Sequence, residues 1–291
     1  MDAKDTLAQE FEEHRAHLRG VAYRMLGSLS EADDALQDAW LRVSRAGTAG
    51  VDNLGGWLTT VVARVCLNML RSRGTRREEP LSPHVPDPVV TAAAHEPEQE
   101  ALLADSVALA LLIVLETLPP AERLAFVLHD MFAVPFEEIA EILERSPAAA
   151  RKAASRGRRR VRSGASTPDS DLKRQRAVVD AFFAAARKGD FEALIRVLDP
   201  EVILRSDRGV LPGTVVVRGP EEVAQRALMF ADPARVVRPV LVNGTAGVLI
   251  TADEATVSIM GFTVVRGKIV AIDSLGDPAR LAHIELPTFD E

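Results

Sequence analysis

Residues 135–162 read PFEEIAEILERSPAAARKAASRGRRRVR, and this stretch decides the fold of its part of the chain. Its first half repeats apolar side chains at helical spacing: Phe136, Ile139, Ala140 and Leu143. Ser146 followed by Pro147 is a helix start signal, so a second helix is expected after a short turn. Two short helices joined by a tight turn predict a helix-turn-helix.

The second of these helices carries many cations and no acid, although the formal net charge of the whole chain is -7. A solvated helix face would normally include acids that form i,i+4 pairs, so this helix is predicted to meet an anion. In a helix-turn-helix, the second helix enters the major groove of DNA by its N-terminal part. The predicted DNA-contacting residues are Arg151, Lys152, Ser155, Arg156, Arg158 and Arg159. A solvated or protein-binding face is the alternative that composition alone leaves open.

The rest of the sequence limits the class of protein. The chain has 291 residues, of which 47% are hydrophobic and 26% are charged, and this composition is typical of globular domains. No apolar run approaches the roughly 18 residues needed to cross a bilayer, and the acidic start MDAKDTLAQE does not resemble a secretory signal. A single cysteine, Cys66, provides neither a disulfide nor a thiolate metal site. We therefore expect a cytoplasmic protein without a metal or other cofactor.

Periodicity and composition divide the chain into four segments. Residues 1–79 form the first segment, with helical periodicity from residue 7 to about 79, and Ser30 is expected to cap the helix that begins EADDALQDAWLRV. Residues 80–97 are rich in proline and predict an extended linker. Residues 98–164 return to helical periodicity, and residues 173–291 combine two helices with several short β-branched runs, which predicts an α+β domain on a mostly antiparallel sheet.

Two of these patterns carry a family resemblance. EADDALQDAWLRV (31–43) followed by WLTTVVARVCLNMLRSRGTRR (57–77) resembles region 2 of sigma-70-type factors, and residues 118–162 resemble region 4. With only these two regions, the chain resembles an extracytoplasmic-function (ECF) sigma factor, and residues 173–291 are similar to the SnoaL-like domain that one ECF group carries. The resemblance implies two all-α helical modules, the second with the helix-turn-helix, and a C-terminal α+β cone.

The resemblance also implies partners and site residues. Core RNA polymerase would be bound through the coiled coil of its β′ subunit by an exposed face of region 2: Asp34, Gln37, Asp38 and Leu41. Promoter DNA would be bound at its −35 element by the basic helix and at its −10 element by region 2. The cations expected at the −10 element are Arg64, Arg71, Arg73, Arg76 and Arg77. Trp57 could stack on an unpaired base or belong to the core.

The C-terminal domain is not expected to be an enzyme. Ketosteroid isomerases on related folds use a carboxylate base and a tyrosine or protonated aspartate, but the only tyrosine here, Tyr23, lies in region 2. The conceivable bases are Asp207, Asp232, Asp253 and Asp273. Regulation in cis is favoured, and a small ligand of unknown identity in a C-terminal pocket is left open. A SnoaL-type isomerase or cyclase fused to a helical DNA-binding module, and a repressor that acts without polymerase, are the alternatives.

Overall fold

The structure, a computed structural model, describes residues 3–46, 51–75, 85–92, 107–164, 166–208, 214–253 and 255–289. The chain divides into two compact units. The first contains Met1–Glu79 and Val114–Gly164, and the second contains Pro80–Ile113 and Ala165–Glu291. The first predicted helical module and the part of the second from Val114 onward therefore belong to one unit, and residues 80–113 between them belong to the other.

Three helices form the N-terminal part of the first unit. They are α1 (Ala3–Leu26), α2 (Leu29–Ala46) and α3 (Leu54–Thr75). Their apolar stripes meet in a core whose fully buried side chains include Leu18, Met25, Leu36, Leu58 and Leu67. Gly27 ends α1 with φ of 75°, a conformation that suits glycine because it has no Cβ. The helix that follows begins earlier than Ser30, and the Oγ of Ser28, not of Ser30, accepts the amide of Glu31 at 3.4 Å.

The remaining helices of the first unit continue from α4 (Leu109–Glu116), within which the chain passes from the second unit to the first. They are α5 (Pro120–Phe126), a π-helical turn (Val127–Met131), α6 (Phe136–Leu143) and α7 (Pro147–Gly164). Helix α6 ends at Glu144, which adopts the left-handed conformation, and α7 packs on both α5 and α6. The predicted helix-turn-helix is thus present as α6, a turn and α7.

A seven-stranded sheet with four helices forms most of the second unit. The strands are β1 (Val90–Ala92), β2 (Leu198–Asp207), β3 (Val215–Arg218), β4 (Val236–Val242), β5 (Thr245–Ala252), β6 (Ala255–Val265) and β7 (Lys268–Leu275). Their spatial order is β1-β4-β5-β6-β7-β2-β3, and only the β2–β7 pair among these strands is parallel. The helices are α8 (Leu172–Lys188), α9 (Phe191–Val197), α10 (Pro220–Met229) and α11 (Pro278–Leu281). This arrangement confirms the predicted α+β class.

One face of this sheet packs against α8, α9 and α10. The shared core is apolar, and three of its rings, Phe182, Phe183 and Phe262, contact one another edge to face with centroids 5.4 to 5.9 Å apart. A hydrophobic cluster therefore fills the space between the sheet and these helices. The small ligand left open by the sequence stays a prediction.

The segment that the sequence identified as a linker contributes the edge strand β1 to this sheet. Strand β1 pairs with β4, and Asn243, which is 2% exposed, binds this segment through both backbone and side chain. The backbone N–H of Asn243 donates to the carbonyl oxygen of Val89 at 2.8 Å. In its side chain, Oδ1 accepts the backbone N–H of Val89 at 3.1 Å, and Nδ2 donates to the carbonyl oxygen of Val107 at 3.1 Å. Residues 85–92 are therefore part of the C-terminal unit rather than a spacer that stands apart from it.

Candidate nucleic-acid interface

Helix α7 is positioned by its small residues. Ala150, Ala153, Ala154 and Gly157 are its buried side, and they allow the helix to approach α5 closely. A Cβ on Gly157 would lie 3.0 Å from the carbonyl oxygen of Glu122, so glycine is needed at this crossing. At the other end of the helix, Ser146 Oγ accepts the amide of Ala149 at 3.3 Å, as expected for an N-cap before proline.

The opposite side of α7 faces solvent. Lys152, Ser155, Arg159 and Arg162 are exposed, and none of the three cations forms an ion pair with the residues that the structure describes. Their spacing of three and four residues puts them on one stripe of the helix. The structure thus brings Lys152, Ser155 and Arg159 of the predicted DNA-contacting set together on one accessible surface.

The other three residues of that set are paired with acids. Arg151 Nη2 donates to Glu137 Oε1 at 2.9 Å, Arg158 Nε donates to Asp130 Oδ1 at 2.7 Å, and Arg156 Nε donates to Glu122 Oε1 at 2.6 Å. The hydrogen bond to Asp130 also raises the pKa of Arg158. No acid stands within the basic segment itself, and the acids that neutralise it come from α5, the π-helical turn and α6.

The π-helical turn and the start of α6 support this surface through stacked rings. The imidazole of His129 stacks on Phe136 with centroids 3.8 Å apart, and His129 Nδ1 lies 3.1 Å from the carbonyl oxygen of Val134. The guanidinium of Arg151 lies 5.6 Å from the centroid of the same Phe136 ring. The segment between the π-helical turn and α6 is therefore held in place by the side chains of His129 and Phe136.

A second basic surface was predicted on α3. Arg64 and Arg71 are exposed on this helix, while Arg73 is half-buried and forms an ion pair with Glu31. Arg76 and Arg77 lie outside the described residues. Trp57 is half-buried near the start of α3, so the structure leaves both of its interpretations open.

The residues predicted to bind polymerase lie together on α2. Asp34, Gln37, Asp38 and Leu41 are all exposed, and Leu41 keeps 44% of its surface accessible. Beside them a groove of about 440 Å³ runs between α1 and α2. Phe11, Leu36 and Trp40 line it with apolar surface, and Asp33 and Asp34 add carboxylates, so this face suits a partner that is partly basic and partly apolar.

A buried arginine joins the two helical modules of the first unit. Arg123 on α5 is 3% exposed, and its Nε donates to the carbonyl oxygen of Arg24 on α1 at 3.2 Å. Burial lowers the pKa of Arg123 to about 10, although the nearby carboxylate of Glu116 opposes this shift. The contact was not predicted because the two residues are 99 positions apart and nothing local in the sequence links them.

Two of the four conceivable bases, Asp207 and Asp273, lie on the neighbouring strands β2 and β7, and each is paired with an arginine. Asp273 is buried and pairs with Arg205 at 2.9 Å, Asp207 pairs with Arg280 at 2.8 Å, and Asp232 and Asp253 lie in exposed turns. Within the described part of the chain, no three potential metal ligands come together and no helix is long and apolar enough to cross a membrane.

Comparison with known proteins agrees with this geometry. The family model for sigma-70 region 2 matches residues 11–76, and the model for sigma-70 region 4 matches residues 108–161. The probable ECF RNA polymerase sigma factor SigI of Mycobacterium tuberculosis is 35% identical over 285 residues, which cover 97% of each chain. The ECF RNA polymerase sigma factor SigJ of the same organism is 42% identical over 220 residues, covering 74% of this chain and 70% of SigJ.

A solved structure is similar over nearly the whole chain. The crystal structure of the M. tuberculosis extracytoplasmic function sigma factor SigJ superposes with a TM-score of 0.74 at 34% identity. The match covers 95% of this chain and 99% of that chain. The likeness therefore includes the C-terminal sheet domain as well as the two helical modules.

Proposed function

Because the chain belongs to the extracytoplasmic-function sigma factors of the sigma-70 family, we propose that it binds core RNA polymerase and directs promoter recognition and transcription initiation. It is an initiation factor and not an enzyme, and it acts in the cytoplasm, where bacterial polymerase and DNA are found. The observation that carries this proposal is the helix-turn-helix of α6 and α7, whose second helix presents Lys152, Ser155 and Arg159 on one open stripe.

We infer that α7 contacts the −35 element through this stripe and its edges. The inferred contacts are Arg151, Lys152, Ser155, Arg158 and Arg159; Arg156 differs from them because the carboxylate that it pairs with, Glu122, is buried. Small Ala148 and Ala149 near the helix start allow close approach to base edges, and the later cations suit phosphates. The −10 element is assigned to α3 with Arg64, Arg71, Arg73, Arg76 and Arg77, where cations hold the phosphates of an opened strand.

Core polymerase is assigned to α2. Asp34, Gln37, Asp38 and Leu41 form an exposed face next to the α1–α2 groove, and the β′ coiled coil is the partner that the family implies. The acidic residues favour encounter with a basic partner, while Leu41 supplies apolar contact area.

Regulation in cis follows from the way the chain is connected. Residues 80–113 run between the region-2 and region-4 modules, yet they belong to the C-terminal unit. Any change that releases residues 85–92 from Asn243 or from the sheet alters the length of chain available between the two promoter-binding modules. The C-terminal domain is therefore placed to control promoter binding without any chemistry of its own.

Run-off transcription tests the proposed function directly. Purified full-length chain is added to core polymerase and a pool of genomic promoter fragments, and we expect transcripts that require the chain. Arg159→Ala should reduce transcript yield while leaving binding to core polymerase unchanged. Absence of any chain-dependent transcript contradicts the proposal, and turnover of a ketosteroid-like substrate would favour the isomerase alternative.

A further inference from the structure

The arginines of α7 fall into two groups according to where their carboxylate partners lie. Glu137 is 65% exposed and Asp130 is 21% exposed at the side chain, so Arg151 and Arg158 pair with acids that water and salt can reach. Glu122 is different because its side chain is only 8% exposed. It receives Arg156 Nε at 2.6 Å on Oε1, and Arg160 Nη1 lies 3.1 Å from Oε2.

The position of Glu122 explains why it is buried. It lies in the first turn of α5, directly under the crossing with α7, where its carbonyl oxygen is 3.0 Å from the place that a Cβ on Gly157 would occupy. A carboxylate enclosed in this way requires cations, because an uncompensated buried charge is strongly unfavourable. Arg156 and Arg160 stand one turn apart on α7 and on either side of Gly157, so both can reach it.

Pairing with a buried carboxylate changes what an arginine can do for DNA. A phosphate can replace Glu137 or Asp130 at low cost, because both acids are then solvated. A phosphate that took Arg156 or Arg160 would leave Glu122 buried without its cation. These two arginines are therefore held against α5, although their sequence neighbours Lys152, Ser155 and Arg159 face solvent.

We propose that Glu122 is a positioning residue of the promoter-binding helix: it fixes Arg156 and Arg160 on α5 and so sets which face of α7 meets DNA. The DNA-contacting face is then Lys152, Ser155 and Arg159, with Arg151 and Arg158 at its edges. This inference rests on the proposed function, because it assumes that α7 binds DNA. It reassigns Arg156 from contacting DNA to holding the helix.

The salt dependence of DNA binding tests this assignment. The logarithm of the binding constant falls linearly with the logarithm of salt concentration, and each phosphate contact contributes about 0.9 to the slope. The full-length chain is titrated onto a fluorescent duplex of about 30 base pairs of mixed sequence, between about 50 and 200 mM KCl. Mixed sequence is sufficient because the slope reports phosphates and not bases.

Two of four variants are expected to change the slope, and the other two are expected to keep it near the wild-type value. Arg159→Ala loses about 0.9 from the slope, and Arg156→Ala keeps the wild-type slope. Glu122→Gln frees two arginines beside the DNA face, so its slope becomes steeper by about 1 or more, and Glu122→Asp, which keeps the charge, returns toward wild type. Arg187→Ala on α8, an exposed cation in the C-terminal unit, is the control for a change in charge alone.

The outcomes separate the inference from the proposed function. If Arg156→Ala and Arg159→Ala reduce the slope equally, or if Glu122→Gln leaves it unchanged or makes it shallower, Glu122 has only a structural role and the inference is wrong. If the wild-type chain shows no salt-dependent binding, the assignment of α7 to DNA fails and the inference fails with it. Arg159→Ala changes an exposed side chain and Arg156→Ala leaves Arg160 beside Glu122, so these two variants decide the question even if Glu122→Gln does not fold.

Discussion

Arg280 Nε donates to Asp87 Oδ1 at 2.8 Å, which joins residues 193 positions apart in the chain. The same guanidinium donates through Nη1 to Asp207 Oδ2 at 2.8 Å and through Nη2 to the carbonyl oxygen of Val85 at 2.7 Å. Asp87 and Asp207 are each 10% exposed at the side chain. A single arginine in α11 thus binds the proline-rich segment to the end of β2, within the C-terminal unit.

Replacing Arg280 should release residues 85–92. In Arg280→Ala the carboxylates of Asp87 and Asp207 lose the cation that they share, and removing one partner of a buried ion pair costs about 3–5 kcal/mol. We expect faster hydrogen exchange at Val89 and in β1, and a changed yield of run-off transcripts. Arg235→Ala serves as the control, because Arg235 forms only a loose pair with the half-exposed Asp232 at 3.7 Å. Equal exchange in both variants would show that Arg280 does not hold the segment.

Asp273 should make the C-terminal unit sensitive to pH. Burial raises the pKa of Asp273, and the charge and hydrogen bond of Arg205 offset part of the rise. The folded protein therefore binds the proton of the Asp273 carboxyl more tightly than the unfolded chain does. This proton binding stabilises the fold fully below the ordinary carboxyl pKa of about 4, and the stabilisation is lost as pH rises through the raised pKa of the folded state. Relative to Asp273→Asn, the wild type should therefore lose stability from about pH 4 upward.

Hydrogen exchange of β7 is the suitable measurement for this difference. The two tryptophans, Trp40 and Trp57, both lie in the first unit, so fluorescence would not follow the C-terminal sheet. Protection of residues 268–275, corrected for the intrinsic pH dependence of exchange, is compared between wild type and Asp273→Asn. A difference that stays constant with pH would show that Asp273 keeps its ordinary pKa.

The sequence predicts those parts of the structure that depend on near neighbours. The apolar spacing of Phe136, Ile139 and Leu143 and the Ser146–Pro147 start signal were enough to predict the helix-turn-helix, because a helix is specified by contacts within a few residues. The partners of the basic helix could not be predicted in this way. Glu137, Asp130 and Glu122 are separated from their arginines by 14, 28 and 34 positions, so the acids that neutralise the helix lie outside it.

The proline-rich segment shows the same limit. Its prolines predict an extended backbone, and in the structure Val90–Ala92 form β1 while residues 85–89 have no regular secondary structure. That Asp87 meets Arg280 and that Asn243 binds Val89 depends on tertiary packing across more than half of the chain. The start of α2 also differs slightly from the prediction. Ser28 and Ser30 are both serines and therefore equally suitable as N-caps, but the chain turns at Gly27 and the helix begins before Ser30.

Cys66 should be unreactive in the folded protein. It is completely buried in α3, and this burial raises the pKa of its thiol to about 12. The reactive thiolate is therefore almost absent at about pH 8, and reagent cannot reach the sulfur. We expect no reaction with Ellman's reagent until denaturant is added, whereas Ser163→Cys, which places a thiol on the exposed end of α7, should react at once in the native protein. Reaction of native wild type would mean that α3 opens.

Binding of core polymerase should depend on the exposed face of α2. Asp34 is exposed beside the α1–α2 groove, and Asp34→Lys reverses its charge toward a basic partner without disturbing the core. We expect the affinity for core polymerase to fall at least about tenfold, which corresponds to about 1.4 kcal/mol. Leu41→Ala should weaken the same complex by removing apolar contact area, since 44% of this side chain is exposed in the free chain.

Glu13→Lys is the matched control, because it makes the same change of charge at an exposed position of α1 that does not line the groove. Affinity is measured by titrating labelled chain with core polymerase, at two salt concentrations, because a rim charge acts through long-range attraction that salt screens. The difference between Asp34→Lys and Glu13→Lys should shrink at higher salt, whereas the effect of Leu41→Ala should persist. Equal loss in both lysine variants would indicate that total charge, and not the α2 face, governs the association.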